Sequence, residues 1–136
     1  MSRPDLVIAP HWEVDIVSEP GLLKVRLHGR LTADDMAAFV AAHNAAIDAL
    51  GGADYKVFCD IRDMLPLSPE CAELMAKAKA YSASRRNCRG SAVWVASAIV
   101  TMQHVRTSKQ SGVLDTELLS PDEAALRAHL ATVWRA

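Results

Sequence analysis

The chain has 136 residues and a mass of 14.7 kDa, the size of one ordinary domain and too short for two. Its 15 Lys and Arg against 16 Asp and Glu leave a formal charge of −1, which excludes a basic protein steered to nucleic acid or to an anionic membrane surface. With 51% hydrophobic and 23% charged residues it can build a packed core, so disorder and fibrous repeats are excluded as well.

Trp12-Glu13-Val14-Asp15-Ile16 alternates apolar and acidic residues, the period of a half-buried strand. Glu19-Pro20-Gly21 supplies a turn, and Leu23, Val25, Leu27, Gly29 and Leu31 then alternate with Lys24, Arg26, His28 and Arg30. The two runs predict a hairpin with one apolar face and one charged, solvated face.

Thr32, with Asp35 three residues on, begins a helix over about Ala33 to Leu50 whose stripe is Met36, Phe39, Val40, His43, Ile47 and Leu50. Gly51-Gly52 ends it. The alanines of this helix fit close packing on a sheet or leave room for a cavity beneath it. Tyr55 to Ile61, with the apolar run Val57-Phe58-Cys59, reads as a strand covered on both faces.

Ser68-Pro69-Glu70 starts a second helix with an inward stripe of Cys71, Leu74, Met75 and Ala78, and Arg85 and Arg86 near its end complement the helix dipole. Ser91 to Ala96 repeats the buried-strand pattern, and Ser97 caps a third helix ending near Gly112. Thr101, Gln103, His104, Thr107 and Ser108 weaken the apolar stripe of that helix. A short strand over 116 to 119 leads to Ser120-Pro121-Asp122-Glu123, a capping box for a last helix with Leu126, Leu130, Val133 and Trp134 on its stripe.

The predicted order is ββαβαβαβα. It describes one α/β domain over 12–136, a mostly parallel sheet of about five strands flanked by four helices, preceded by an N-terminal arm over 1–11.

Cys59, Cys71 and Cys88 have neither disulfide-framework nor zinc spacing, and five scattered histidines include no metal-binding pair, so no metal and no cofactor are expected. There is no glycine-rich phosphate loop. No signal peptide and no bilayer-length apolar run are visible, and reduced thiols fit a cytoplasmic location. The basic group Arg85, Arg86 and Arg89 lacks interleaved aromatics and reads as a helix end.

Asp60, Arg62 and Asp63 cluster at the carboxyl end of a central strand, where ligands bind in open α/β sheets. With Ser68 and Ser97, each at a helix N-terminus, they outline a polar pocket for a small anion or a phosphate-bearing ligand. Cys71, near a helix N-terminus but on the inward stripe, reads as a core thiol.

The segments Leu27-His28-Gly29-Arg30-Leu31-Thr32, Val57-Phe58-Cys59-Asp60, Ala92-Val93-Trp94-Val95 and Ser120-Pro121-Asp122-Glu123-Ala124 together resemble a STAS domain, in particular the SpoIIAA-like (STAS/SEC14-like) stand-alone bacterial branch. The resemblance spans residues 12–134. It implies a non-enzymatic regulatory or protein-interaction module, with a protein partner or a second copy as its target.

In antagonist members of that family a serine after the third strand is phosphorylated. Asp60 matches the acidic residue that ends the strand, and Ser68 falls at the serine, but the family's Asp-Ser-Ser-Gly is here Leu67-Ser68-Pro69-Glu70. The bare residues also make Ser68 an N-cap. The SEC14-like side of the resemblance implies the alternative of a small-molecule or lipid carrier, for which a cavity of about 300 Å³ or more is expected. A third reading is an enzyme using Cys71 or Asp60. Trp12 and Trp134 are candidate anchors for self-association.

Overall fold

The computed structural model describes residues 6–17, 21–85, 87–113 and 116–133. It forms one α/β domain with a six-stranded mixed sheet whose spatial order is the chain order, β1 (Leu6–Ile8), β2 (Trp12–Val17), β3 (Leu22–Leu27), β4 (Tyr55–Asp60), β5 (Cys88–Trp94) and β6 (Glu117–Ser120). The first two pairings are antiparallel and the last three parallel. The four helices are α1 (Ala33–Ala49), α2 (Pro69–Ala83), α3 (Ala98–Ser111) and α4 (Glu123–Val133).

The sheet has six strands where five were expected, because the N-terminal arm contributes β1. Leu6-Val7-Ile8 is too short to show a period. It nevertheless pairs with Glu13 to Asp15 across a turn closed by Ala9 N–H to Trp12 O at 2.9 Å. The order is therefore βββαβαβαβα.

Three helices lie side by side on one face, α1 against α2 and α2 against α3. This follows from the strand order: three right-handed crossovers in one direction leave their helices on one side. Beneath them Trp12, Val14, Ile16, Leu23, Val25, Leu27, Tyr55, Val57 and Val93 form the main core with Met36, Phe39, Ile47, Cys71 and Met75. On the other face α4 alone packs Leu126 and Leu130 on Phe58 and Ala92. β4 is thus buried on both sides, as its unbroken apolar run predicts.

Helix starts follow the predicted chemistry in three cases. Thr32 and Asp35 form a complete capping box on α1, Ser68 Oγ accepts from Cys71 N–H at 3.1 Å on α2, and Ser97 Oγ accepts from Val100 N–H at 3.3 Å on α3. The fourth differs. Ser120 is still a strand residue, its carbonyl accepting from Val95 N–H, so α4 starts at Glu123 with Asp122 Oδ1 accepting from Ala124 N–H. Glu123 then pairs with Arg127 at 3.2 Å instead of closing the expected box.

The hairpin strand also stops early. β3 ends at Leu27, not Leu31, because Gly29 turns to a φ of 70° and bridges to Met64 in the loop after β4. A Cβ there would lie 3.1 Å from His11 Nδ1. Trp12 is only 6% exposed and packs edge-on against Phe39, so it is a core residue rather than a docking anchor. Trp134, Arg86 and the Glu19-Pro20 part of the predicted turn lie outside the described residues.

Candidate functional site

Asp60 ends β4 on the α4 face and grips Arg62 in a bidentate pair, Oδ1 to Nε at 3.0 Å and Oδ2 to a terminal nitrogen at 2.9 Å. Burial raises the Asp60 carboxyl, but hydrogen bonds from the side chain and backbone of Arg62 outweigh it and hold the group below its ordinary value. The Arg62 guanidinium carbon lies 3.4 Å from the centroid of the Trp94 ring on the next strand. Asp63 faces Arg26 at 3.5 Å, and its carbonyl accepts from Gly29 N–H.

Asp60 lines an open groove of about 280 Å³ on this face, floored by Phe58 and Trp94 and walled by charges from β2, β3 and α4. Ser68 and Ser97 line neither that groove nor the cavity described next, and their hydroxyls are used as caps. Of the five residues expected to outline one polar pocket, Asp60 and Arg62 are held together, Asp63 turns to Arg26, and Ser68 and Ser97 cap α2 and α3.

The reason is topological. A crevice opens at the carboxyl ends of strands where the order reverses and successive helices part to opposite faces. Here the order never reverses, and α1, α2 and α3 stay together. The loop after β4 is tied to α3 instead, with Leu67 N–H donating to Gln103 Oε1 at 2.8 Å and Gln103 Nε2 donating to Leu67 O at 2.6 Å.

The room lies at the opposite end of the domain. A half-open cavity of about 240 Å³ runs between the sheet and the helices toward the C-terminal ends of α2 and α3. Its walls are mostly apolar, Val25, Phe39, Val57, Met75, Ala78 and Val93 among them. Into this lining the chain places a polar group that sequence reasoning did not assemble: Lys79 of α2, His104 of α3, Ser91 of β5 and Glu117 of β6, with the fully buried Ser108 of α3 bonded to Lys79 and Glu117.

Lys79 and Glu117 form an ion pair at 3.6 Å with side chains only 10% and 3% exposed. Lys79 also donates to the His104 carbonyl at 3.3 Å and to Ser108 Oγ. Glu117 accepts from Ser108 through one oxygen and from Ser91 at 3.3 Å through the other. A buried charge pair persists when its remaining donors and acceptors are satisfied in this way. Burial nevertheless brings the Lys79 ammonium down to about 8, against the opposing pull of Glu117.

His104 is 3% exposed and lines the same cavity, and its Nε2 has no hydrogen-bond partner among the described residues. Burial, helped by the charge of Lys79, lowers its pKa well below the ordinary value, so the ring is neutral. His43, on the apolar stripe of α1, is buried against Phe39 with Nδ1 2.9 Å from Asn44 Oδ1, the satisfied core histidine its position implies.

No family model matches the chain, and no curated protein matches it. The site is accordingly judged by its own chemistry.

Burial pushes the Cys59 thiol up to about 12, which removes thiolate nucleophilicity at neutral pH. Cys71 is buried with Sγ 3.6 Å from the Leu31 carbonyl, and Cys88 is a third free thiol, half-buried against Ser82. Among the described residues no three His, Cys, Asp or Glu side chains converge to hold a metal ion, and no helix is long and apolar enough to cross a membrane.

The missed residues had a signal. His104, Thr107 and Ser108 stand at i, i+3 and i+4 on α3, a polar stripe where an apolar one belongs. All three are buried.

Proposed function

We propose that this protein is a cytoplasmic, non-enzymatic regulatory or protein-interaction module of STAS type, SpoIIAA-like in kind, whose input is a small molecule held in the cavity beneath α2 and α3. The observation that carries this reading is the state of the cavity's reactive groups. The Lys79 ammonium has three acceptors within the chain, both Glu117 oxygens accept, and burial keeps Cys59 protonated. Such a lining favours holding a ligand over transforming it.

The STAS reading also rests on the quoted segments and on four helices around a mostly parallel sheet. Ser68 is exposed at the N-terminus of α2, where free amides and the dipole favour a phosphate, so the loop after β4 is suited to a phospho-signal. For a protein partner or a second copy, Ile8 on the edge strand and Ile99 with Met102 on α3 offer exposed apolar contacts.

The SEC14-like carrier is favoured by the presence of a cavity at all. Its volume of about 240 Å³ fits a compact molecule better than a lipid, since pockets for drug-sized ligands begin at about 300 Å³.

The test compares the wild type with Ala78→Leu, which adds carbon atoms to the cavity wall. Melting temperature is followed against apolar molecules of one and two rings, and each molecule is analysed after incubation. The expected outcome is protection of the wild type only, with the ligand recovered unchanged. A chemically altered ligand would overturn the non-enzymatic reading. Equal affinity of Ser68→Ala and Ser68→Asp for a partner protein would remove the phospho-signal.

A further inference from the structure

We infer that the cavity takes a neutral, mainly apolar molecule of about two fused rings bearing one hydroxyl or carbonyl, and that His104 Nε2 is the atom that recognises that group. The inference rests on the ligand-binding reading above and names the ligand's class.

Size comes first. An apolar cavity of about 150 Å³ admits benzene, so the cavity of about 240 Å³ between the sheet and the helices has room for a second ring.

Charge comes next. Of the three ionic groups in the wall, Lys79 and Glu117 neutralise each other at 3.6 Å, with their remaining hydrogen bonds going to Ser91, Ser108 and the His104 carbonyl, and Arg85 is neutralised by Asp48 at 3.0 Å. A charged ligand would have to break that network, whereas a neutral one leaves it intact.

The most deeply buried unpartnered polar group of the wall decides the functional group. His104 is 97% withdrawn from solvent and lines the cavity, and its Nε2 is left without a partner among the described residues. Arg85 Nε is also unpartnered, but its side chain is 39% exposed, with the guanidinium paired to Asp48 and set over the Tyr81 ring. Burial keeps the His104 ring neutral, so its Nε2 either donates or accepts according to tautomer. A ligand hydroxyl answers both tautomers and a carbonyl answers the N–H form. A ligand with neither leaves the nitrogen unsatisfied, which weakens its binding.

The test uses the full chain with two probes of matched size, 2-naphthol and 2-methylnaphthalene, titrated by calorimetry. The wild type is expected to bind 2-naphthol about tenfold more tightly or better. In His104→Phe the two affinities are expected to converge on that of the hydrocarbon. The ¹⁵N resonance of His104 Nε2 in the wild type provides a second measurement, independent of the variant's folding, and is expected to shift with 2-naphthol only.

Equal affinities in the wild type, or a naphthol preference that survives His104→Phe, would overturn recognition by His104 while leaving the cavity a binding site. If neither probe binds, the nitrogen is served by water and the ligand-binding reading falls with it.

Discussion

Under α1, α2 and α3 the sheet buries an apolar core together with a lysine, a glutamate and two histidines. Under α4 it buries Phe58, Ala92, Leu126 and Leu130, while charged residues such as Glu13, Arg26 and Asp60 line an open groove. The charges of the second face are solvated ladders: Glu13 stands opposite Arg26, Asp15 opposite Lys24, and Arg26 beside Asp60. A deeply placed cation of this face, Lys56, donates to the Leu130 carbonyl in the last turn of α4, where the helix dipole welcomes it. The first face instead encloses charge beside a cavity. Polar groups in water are cheap to keep and say little about function, whereas polar groups held in an apolar cavity persist only with partners and point to one.

Three experiments can break this contrast, and the largest effect belongs to the enclosed face. Lys79→Met leaves Glu117 buried without its cation and is expected to cost about 3–5 kcal/mol of stability in urea unfolding. Adding Glu117→Leu should recover most of that loss. If the single variant is nearly neutral, the cavity face is as well solvated as the α4 face, and the contrast is gone.

The second experiment is a pH series. Burial lowers the pKa of both His43 and His104, so the unfolded chain binds protons that the folded one refuses. Stability should therefore fall as pH drops below about 6.5, by up to about 1.4 kcal/mol per unit for each histidine while its ring stays neutral in the folded protein. His104→Phe should reduce that slope by one proton. An unchanged slope would mean that the ring is protonated in the folded protein.

The smallest effect is expected on the open face. Arg62→Ala removes the stack on Trp94 and the pair with Asp60, in which the arginine is 40% exposed. Trp94 fluorescence should change, with a loss of stability smaller than either effect above. A loss comparable to that of Lys79→Met would show that the Asp60–Arg62 cluster is structural to the same degree as the enclosed pair.

The fold was largely legible because each helix from α1 to α3 announces its start with a hydroxyl cap, and each central strand is an apolar run between turn residues. The edges were not. Leu6-Val7-Ile8 is too short to carry a period, and Gly29 continues the alternation on paper while its backbone breaks the strand.

The site was less legible for a physical reason. Asp60, Arg62, Ser68 and Ser97 are chemical residues at element ends, which is where caps and surface pairs also sit. Lys79 and Glu117 lie on a helix and an edge strand 38 residues apart, and only the crossover through β5 and α3 brings them together. The one local trace was the polar stripe of α3, which reads as a defect in a helix until something polar is found opposite it.

The pairing of Lys79 with Glu117 also orders assembly. Lys79 is made with α2, but the carboxylate it pairs with arrives with β6, the last strand. Until that strand is in place, docking α2 would withdraw an ammonium from water without its counter-charge, at a cost of several kcal/mol. A growing or truncated chain therefore keeps α2 loose until the far edge of the sheet is added, and the ion pair makes closure of the helical layer conditional on a complete sheet.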